Sequence, residues 1–205
     1  MSVEVAKPYL DPRVDELLDA IPGPRKALFL DRDGVINVDR GYVHKPASTE
    51  WVPGIFDLCA QAQREGYLLV VATNQAGIAR GYYSAEEFLV YTQWVHEKFA
   101  ARGIPLAATY YCPHHPYSGV GGLRTSCSCR KPGPGMLIAA QHRLQLDLKL
   151  SAFIGDKSSD VEAGNLAGVK MNLLLGSEMC PTLEAAIQCL QREKVNSWRF
   201  LAALK

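Results

Sequence analysis

Five short runs of apolar residues recur along the chain: ALFL at 27–30, YLLVVAT at 67–73, ATYY at 108–111, AFIG at 152–155 and KMNLLL at 170–175. Each is nearly unbroken rather than alternating, the pattern of strands covered on both faces in a parallel sheet. Helical patterns separate them. Residues 53–65 begin with proline at a first-turn position and stop near Gly66. Residues 84–102 open on SAEE, a capping-box signature, and end at Gly103. Further helices fit 135–146, 158–167 and 182–194. Strands alternating with helices at this spacing predict a doubly wound, Rossmann-like α/β domain with a mostly parallel sheet.

Two segments break the alternation. Val14, Leu17, Leu18 and Ile21 lie at helical spacing, so a short amphipathic helix is expected within an N-terminal extension, residues 1–24, that packs ahead of the main domain, residues 25–205. Residues 112–135 form a long loop rich in Gly, Pro, Cys and His, and a loop of that length inside a compact domain is functional or is held by something.

Composition narrows the picture little further. The 205 residues suit one domain, and 48% apolar residues with a net charge of +1 describe a globular protein whose main partner is neither nucleic acid nor an anionic membrane. No apolar run approaches the roughly 18 residues of a membrane span. The N-terminus, MSVEVAKPYLDPRVDELLDAIPGPRK, carries charge throughout and has no apolar signal region, so a cytoplasmic location is expected. Of six cysteines, Cys59, Cys180 and Cys189 stand apart and read as buried or inert thiols, whereas Cys112, Cys127 and Cys129 cluster with histidine.

Ligands of an open parallel sheet bind beyond the carboxyl ends of its strands, so the residues just past each run matter most. The first run ends in Asp31-Arg32-Asp33-Gly34, the second in Thr73-Asn74-Gln75, and the loop after the third in Arg130-Lys131-Pro132. The fourth ends in Gly155-Asp156-Lys157-Ser158-Ser159-Asp160. Singly these are a surface turn, a structural threonine, a solvated lysine and a helix cap. Jointly, at successive strand ends, they fit phosphoryl transfer to an aspartate. A carboxylate attacking phosphorus splits one displacement into two, through an aspartyl phosphate. Two anions approaching each other need a hard cation, and Mg²⁺ takes oxygen ligands, here the Asp31 and Asp156 carboxylates and the backbone carbonyl of Asp33. Lys131 and the Thr73 hydroxyl would hold the phosphoryl oxygens. Asp33 is left to protonate the leaving alkoxide and then to take a proton from water.

DRDG, TNQ, RKP and GDKSSD, in that order, resemble the four motifs of the haloacid dehalogenase (HAD) superfamily of phosphohydrolases. By that resemblance the nucleophile falls on Asp31, the acid/base on Asp33, the motif-two hydroxyl on Thr73, the lysine on Lys131 and the second metal carboxylate on Asp156. Asp160 then supports the metal site rather than ligating it.

The loop YYCPHHPYSGVGGLRTSCSCRKP presents Cys112, His114, Cys127 and Cys129, a set suited to a closed tetrahedral Zn²⁺ site, with His115 competing for the imidazole role. Such a zinc is structural, and ordering the loop would set Lys131, two residues past Cys129.

Across 27–176 the chain resembles the D-glycero-D-manno-heptose 1,7-bisphosphate 7-phosphatases, through FLDRDGVINVDRGYVH, VVATNQAGIARGYY, YYCPHHP, CSCRKPGPGML and IGDKSSD. That resemblance implies Mg²⁺ as the catalytic metal, a structural Zn²⁺, no large cap domain, and heptose 1-phosphate as product on the route to ADP-heptose for lipopolysaccharide. It implies substrate contacts at Asp39, Arg40, Gly41, Tyr42, Thr73, Asn74, Gln75, Ala76, Arg130, Lys131, Asp156 and Lys157, and a small sugar bisphosphate as partner; a monomer is expected. Histidinol-phosphate phosphatases share the zinc loop and CRKP, and AGIARGYY and VDRGYVH are the stretches that discriminate. A zinc-organised binding module on an inactive hydrolase scaffold is the alternative from another class, and salt-dependent affinity for DNA or RNA would mark it.

Overall fold

The computed structural model describes residues 6–202, with side chains to residue 192. The chain enters its sheet by an edge strand, β1 (Tyr9–Leu10), followed by α1 (Val14–Asp19) and the first core strand, β2 (Lys26–Leu30). Next come α2 (Ile55–Arg64), β3 (Tyr67–Asn74), a single turn α3 (Ala76–Ala79), and α4 (Ala85–Ala100). The second half runs β4 (Leu106–Cys112), α5 (Gly135–Leu144), β5 (Ala152–Gly155), α6 (Ser158–Ala167), β6 (Met171–Leu174) and α7 (Leu183–Ala202).

These form a sheet of six strands in the order β1-β4-β3-β2-β5-β6, parallel throughout except for β1 against β4. Alternate residues of β2 face opposite layers. Leu28 and Leu30 join a core with Ile55, Leu58, Tyr91, Phe99 and Leu183, from α2, α4 and α7. Ala27 and Phe29 join a second with Val14, Leu18, Met136, Ala140 and Ala163, from α1, α5 and α6. The sheet is therefore doubly wound, as the unbroken apolar runs predict. Among the described residues, no helix is long and apolar enough to cross a membrane.

Strand order positions the site. From β2 the chain builds outward to β3 and β4, then crosses back to lay β5 on the other side of β2. The carboxyl ends of β2 and β5 thus flank the point where the winding reverses, where loops diverge and leave a crevice. Both ends carry aspartates.

The N-terminal extension is drawn into this architecture. Tyr9 and Leu10 pair with Thr109 and Ala108, and the Asp11 amide donates to the Ala107 carbonyl. Pairing hides the backbone groups that β4 would otherwise expose at the sheet edge.

Candidate active site

Asp31 follows β2 directly, and its backbone amide donates to the Ile154 carbonyl of β5, so the first aspartate is held by the sheet itself. The residue is 5% exposed. The Arg32 amide donates to Oδ1 at 2.7 Å, and the Lys131 ammonium lies 3.0 Å from the same oxygen. Lys131 is itself buried, 2.6 Å from Asp160 Oδ1, and donates to the Ala72 carbonyl at 2.8 Å. Burial alone would lower its pKa, but Asp31 and Asp160 overcome that and hold it above the ordinary lysine range. Lys131 is a fixed positive charge at the strand ends.

Oxygens of Asp31, Asp156 and Asp160 lie within 4.8 Å of one another. Burial first, and then the Asp31 charge, push Asp156 up to about 6. Its Oδ1 is buried and has no hydrogen-bond partner. An orphaned carboxylate oxygen facing a second carboxylate is the arrangement a divalent cation resolves, so the donor set fits Mg²⁺. Gly34 makes the approach possible. It sits at φ +92°, and a Cβ there would fall 2.2 Å from Asp156 Oδ2. Asp160 faces Lys131 and also accepts from the Lys157 amide at 3.0 Å, capping α6.

Asp33 is more accessible and differently held. Arg32 donates to it from Nη2, at 2.9 and 2.7 Å to its two oxygens, and its guanidinium lies over the rings of Phe88 and Tyr91. Asn37 Nδ2 donates to Oδ1 at 3.0 Å and Gln75 Nε2 to Oδ2 at 3.2 Å. The sequence alone offers no sign of Arg32's part, since a charged residue between two site carboxylates reads as surface.

At the end of β3, Thr73 is buried and its Oγ1 accepts from Gln75 Nε2 at 2.8 Å. Asn74 Oδ1 accepts from the Lys131 amide at 3.0 Å and its Nδ2 donates to the Lys131 carbonyl at 3.1 Å. The amides of Asn74 and Gln75, both expected to contact substrate, are thus engaged with protein.

Asp31, Asp33, Thr73, Lys131 and Asp160 share the lining of a cavity of about 320 Å³ with Tyr42, Asn74, Gln75, Tyr83 and Lys157. Lys157 reaches across the mouth to Asp39 at 3.3 Å. Arg40 and Arg130 lie outside the lining. Arg40 pairs with Glu50, and Arg130 Nη1 donates to the His114 carbonyl at 3.2 Å. Asp156 borders an adjoining cavity behind Gly34.

In the long loop, Cys112, His114, Cys127 and Cys129 converge. Sulfur separations are 3.5 Å for Cys112–Cys127 and 3.3 Å for Cys127–Cys129, and His114 Nδ1 stands 3.7 and 3.5 Å from Cys112 and Cys129. Vertices of a tetrahedron around Zn²⁺, with Zn–S of about 2.3 Å, would be separated by roughly 3.7 Å. A hydrogen bond from Cys112 holds the Cys129 thiol below the ordinary cysteine range, toward the thiolate that a metal takes. That chemistry and spacing fit zinc. His115 points elsewhere, its Nδ1 accepting from the Tyr117 and Ser118 amides. The cluster therefore contains His114.

Residues 128–191 match a HAD-hydrolase-like family model. The chain is 48% identical over 151 residues to the D-glycero-beta-D-manno-heptose-1,7-bisphosphate 7-phosphatase of Vibrio cholerae, spanning 74% of this chain and 81% of that one. It is 49% identical over 150 residues to the D-glycero-alpha-D-manno-heptose-1,7-bisphosphate 7-phosphatase of Burkholderia mallei, spanning 73% and 79%. Among solved structures it is similar to a D,D-heptose 1,7-bisphosphate phosphatase from B. bronchiseptica complexed with magnesium and phosphate. That match has a TM-score of 0.70 and 30% identity, over 82% of this chain and 99% of that one.

Proposed function

This chain belongs to the D-glycero-D-manno-heptose-1,7-bisphosphate 7-phosphatases of the HAD-like hydrolases, and from that premise we propose that it removes the C7 phosphate of heptose 1,7-bisphosphate through an aspartyl phosphate on Asp31. The observation that carries this reading is the buried Asp31–Lys131–Asp160 ion-pair chain beside the orphaned Asp156 oxygen. It sets a carboxylate nucleophile beside a fixed cation.

Asp31 attacks phosphorus, and the bond to the sugar O7 breaks as the new P–O bond forms. Asp33, the more exposed of the two carboxylates, gives its proton to the departing alkoxide. In the second step Asp33 takes a proton from water, whose oxygen displaces the Asp31 carboxylate and releases inorganic phosphate. Lys131 and the Thr73 hydroxyl stabilise the phosphoryl oxygens as charge redistributes. Asp31, Asp156 and the Asp33 carbonyl would hold Mg²⁺. Bound there, the ion screens carboxylate from phosphate and polarises the phosphoryl group. Cys112, His114, Cys127 and Cys129 would hold a structural Zn²⁺, which ties the loop that ends at Lys131. Product heptose 1-phosphate places the enzyme in the cytoplasmic supply of ADP-heptose for lipopolysaccharide.

The curated relatives are named for opposite C1 anomers at nearly equal identity, so the test uses both. Phosphate release is measured with each heptose 1,7-bisphosphate anomer, histidinol phosphate and an aryl phosphate. The expected result is the highest kcat/KM on a heptose bisphosphate. A preference for histidinol phosphate contradicts the substrate assignment.

A further inference from the structure

Gln75 is 1% exposed and sits between Asp33, the proton-transfer group, and Thr73, whose hydroxyl stabilises the phosphoryl oxygens. Its Nε2 donates to Thr73 Oγ1 at 2.8 Å and to Asp33 Oδ2 at 3.2 Å. A side-chain amide can be turned either way, and the environment chooses. Reversed, its oxygen would face Asp33 Oδ2, which already accepts from Arg32 Nη2 at 2.7 Å, and two acceptor oxygens would be brought together. The amide must therefore direct its NH₂ group inward and its oxygen outward. That outward oxygen accepts the hydroxyl of Tyr83 at 2.7 Å.

Tyr83 is 4% exposed and held on two sides. Its ring stacks on His44 at 4.4 Å, and its edge passes over Gly77, where a Cβ would fall 2.3 Å from the ring. Burial pushes its hydroxyl up to about 12, so it keeps its proton and acts as the donor.

The direction of this chain has a consequence at its far end. Thr73 Oγ1 accepts from Gln75, so the one proton of its hydroxyl remains free to point into the cavity. If Gln75 turned over, Thr73 would donate that proton to the amide oxygen and could no longer offer it to a phosphoryl oxygen.

We infer that Tyr83 is a positioning residue for catalysis, acting through Gln75 to hold the Asp33 carboxylate and to aim the Thr73 hydroxyl proton at the transferred phosphoryl group. The inference rests on the proposed roles of Asp33 in proton transfer and of Thr73 in phosphoryl binding. Tyr83 itself does not touch the reacting atoms, and its contribution belongs to the transition state rather than to substrate affinity.

The test uses the full-length chain with saturating Mg²⁺, a heptose 1,7-bisphosphate and p-nitrophenyl phosphate. Tyr83→Phe keeps the ring, its stacking on His44 and its fit over Gly77. Its kcat should fall about tenfold on both substrates, with KM changed less than about twofold and the melting temperature within a few degrees. Gln75→Met should show a similar or larger fall in kcat. The double variant should match Gln75→Met alone, because removing the amide removes the path through which Tyr83 acts. Were Tyr83→Phe unable to fold, a Gln75→Met variant that lost KM rather than kcat would overturn the inference. A Tyr83→Phe kcat within twofold of wild type would overturn it, as would losses that multiply in the double variant, or a rise in KM alone. Wild-type enzyme that turns over p-nitrophenyl phosphate but not the heptose bisphosphate corrects the substrate and leaves the relay testable on the aryl ester. Wild-type enzyme that turns over neither removes both.

Discussion

The side chain of Asn74 pairs with both backbone groups of Lys131, accepting from its amide at 3.0 Å and donating to its carbonyl at 3.1 Å. The two residues are 57 positions apart, and the paired bonds fasten the end of β3 to the end of the cysteine-rich loop. The ammonium of Lys131 then falls between Asp31 and Asp160.

Replacing Asn74 with alanine removes both bonds, each worth about 1 kcal/mol net. We expect kcat/KM to fall by about tenfold or more, mainly in kcat, since the role proposed for Lys131, holding the phosphoryl oxygens, grows toward the transition state. Asn74→Asp should be at least as damaging, because a carboxylate cannot donate to the Lys131 carbonyl. Steady-state kinetics on both variants check this, and near wild-type kcat in either would show that Lys131 is set by other contacts.

The approach of Asp156 depends on the bare backbone of Gly34. In Gly34→Ala the new methyl would occupy the place of the Asp156 carboxylate, at a φ that disfavours side chains. The Mg²⁺ concentration needed for half-maximal activity should rise by at least about tenfold, equivalent to about 1.4 kcal/mol. An unchanged magnesium titration in a folded Gly34→Ala protein would remove Asp156 from the metal site.

Zinc removal is expected to act on stability and catalysis together. Cys127→Ser leaves three of the four clustered donors. We expect substoichiometric zinc by elemental analysis, a melting temperature lower by several degrees, and reduced kcat as Lys131 loses its anchor. Unchanged zinc content and melting would refute the closed site.

Acid should loosen the attachment of the N-terminal extension. His96 is buried, with Nε2 at 2.9 Å from Thr109 Oγ1, Nδ1 at 3.7 Å from Asp11 and its ring against Tyr9. Burial holds its pKa below the usual histidine range despite Asp11. The unfolded chain therefore takes the proton first, and the stability His96 contributes is full above about pH 6.5 and is lost progressively as pH falls from there toward its lower folded value. Asp11 is lowered to about 2, first through His96, so its own contribution persists until pH falls through the carboxylate range. Without metal, Asp156, raised to about 6, has the opposite slope. The measurement is the difference in urea-unfolding free energy between wild type and His96→Gln at about pH 7.5 and about pH 5.5, on either side of the ordinary histidine value. The wild type should lose more, and equal losses would show that His96 is not the titrating group.

Much of this protein is legible in its sequence because buried parallel strands leave unbroken apolar runs and helices leave caps. Ser84 caps α4 with the reciprocal Glu87 bond that SAEE implies, and α6 spans the 158–167 read from pattern. The expected helix at 53–65 forms as Ile55–Arg64, and those at 135–146 and 182–194 form as Gly135–Leu144 and Leu183–Ala202. Strand β1 has two residues and no periodicity to read, since only its partner on β4 makes it a strand. The four residues of α3 are likewise too few for a period. At the site, residue types at strand ends point to phosphoryl chemistry, the class for which the relatives are named. They do not reveal which amides face the protein, because the partners of Asn74, Gln75 and Arg32 are chosen by packing of distant segments.

Every step proposed for this site begins with the Asp31 carboxylate displacing the sugar from phosphorus. Acid quenching of wild-type enzyme during turnover with a heptose 1,7-bisphosphate and Mg²⁺, followed by mass-spectrometric peptide mapping, tests it most directly. The expected result is an added phosphoryl group on Asp31, absent from Asp31→Asn. A phosphoryl group mapped to any other residue, or full turnover by Asp31→Asn, would contradict it.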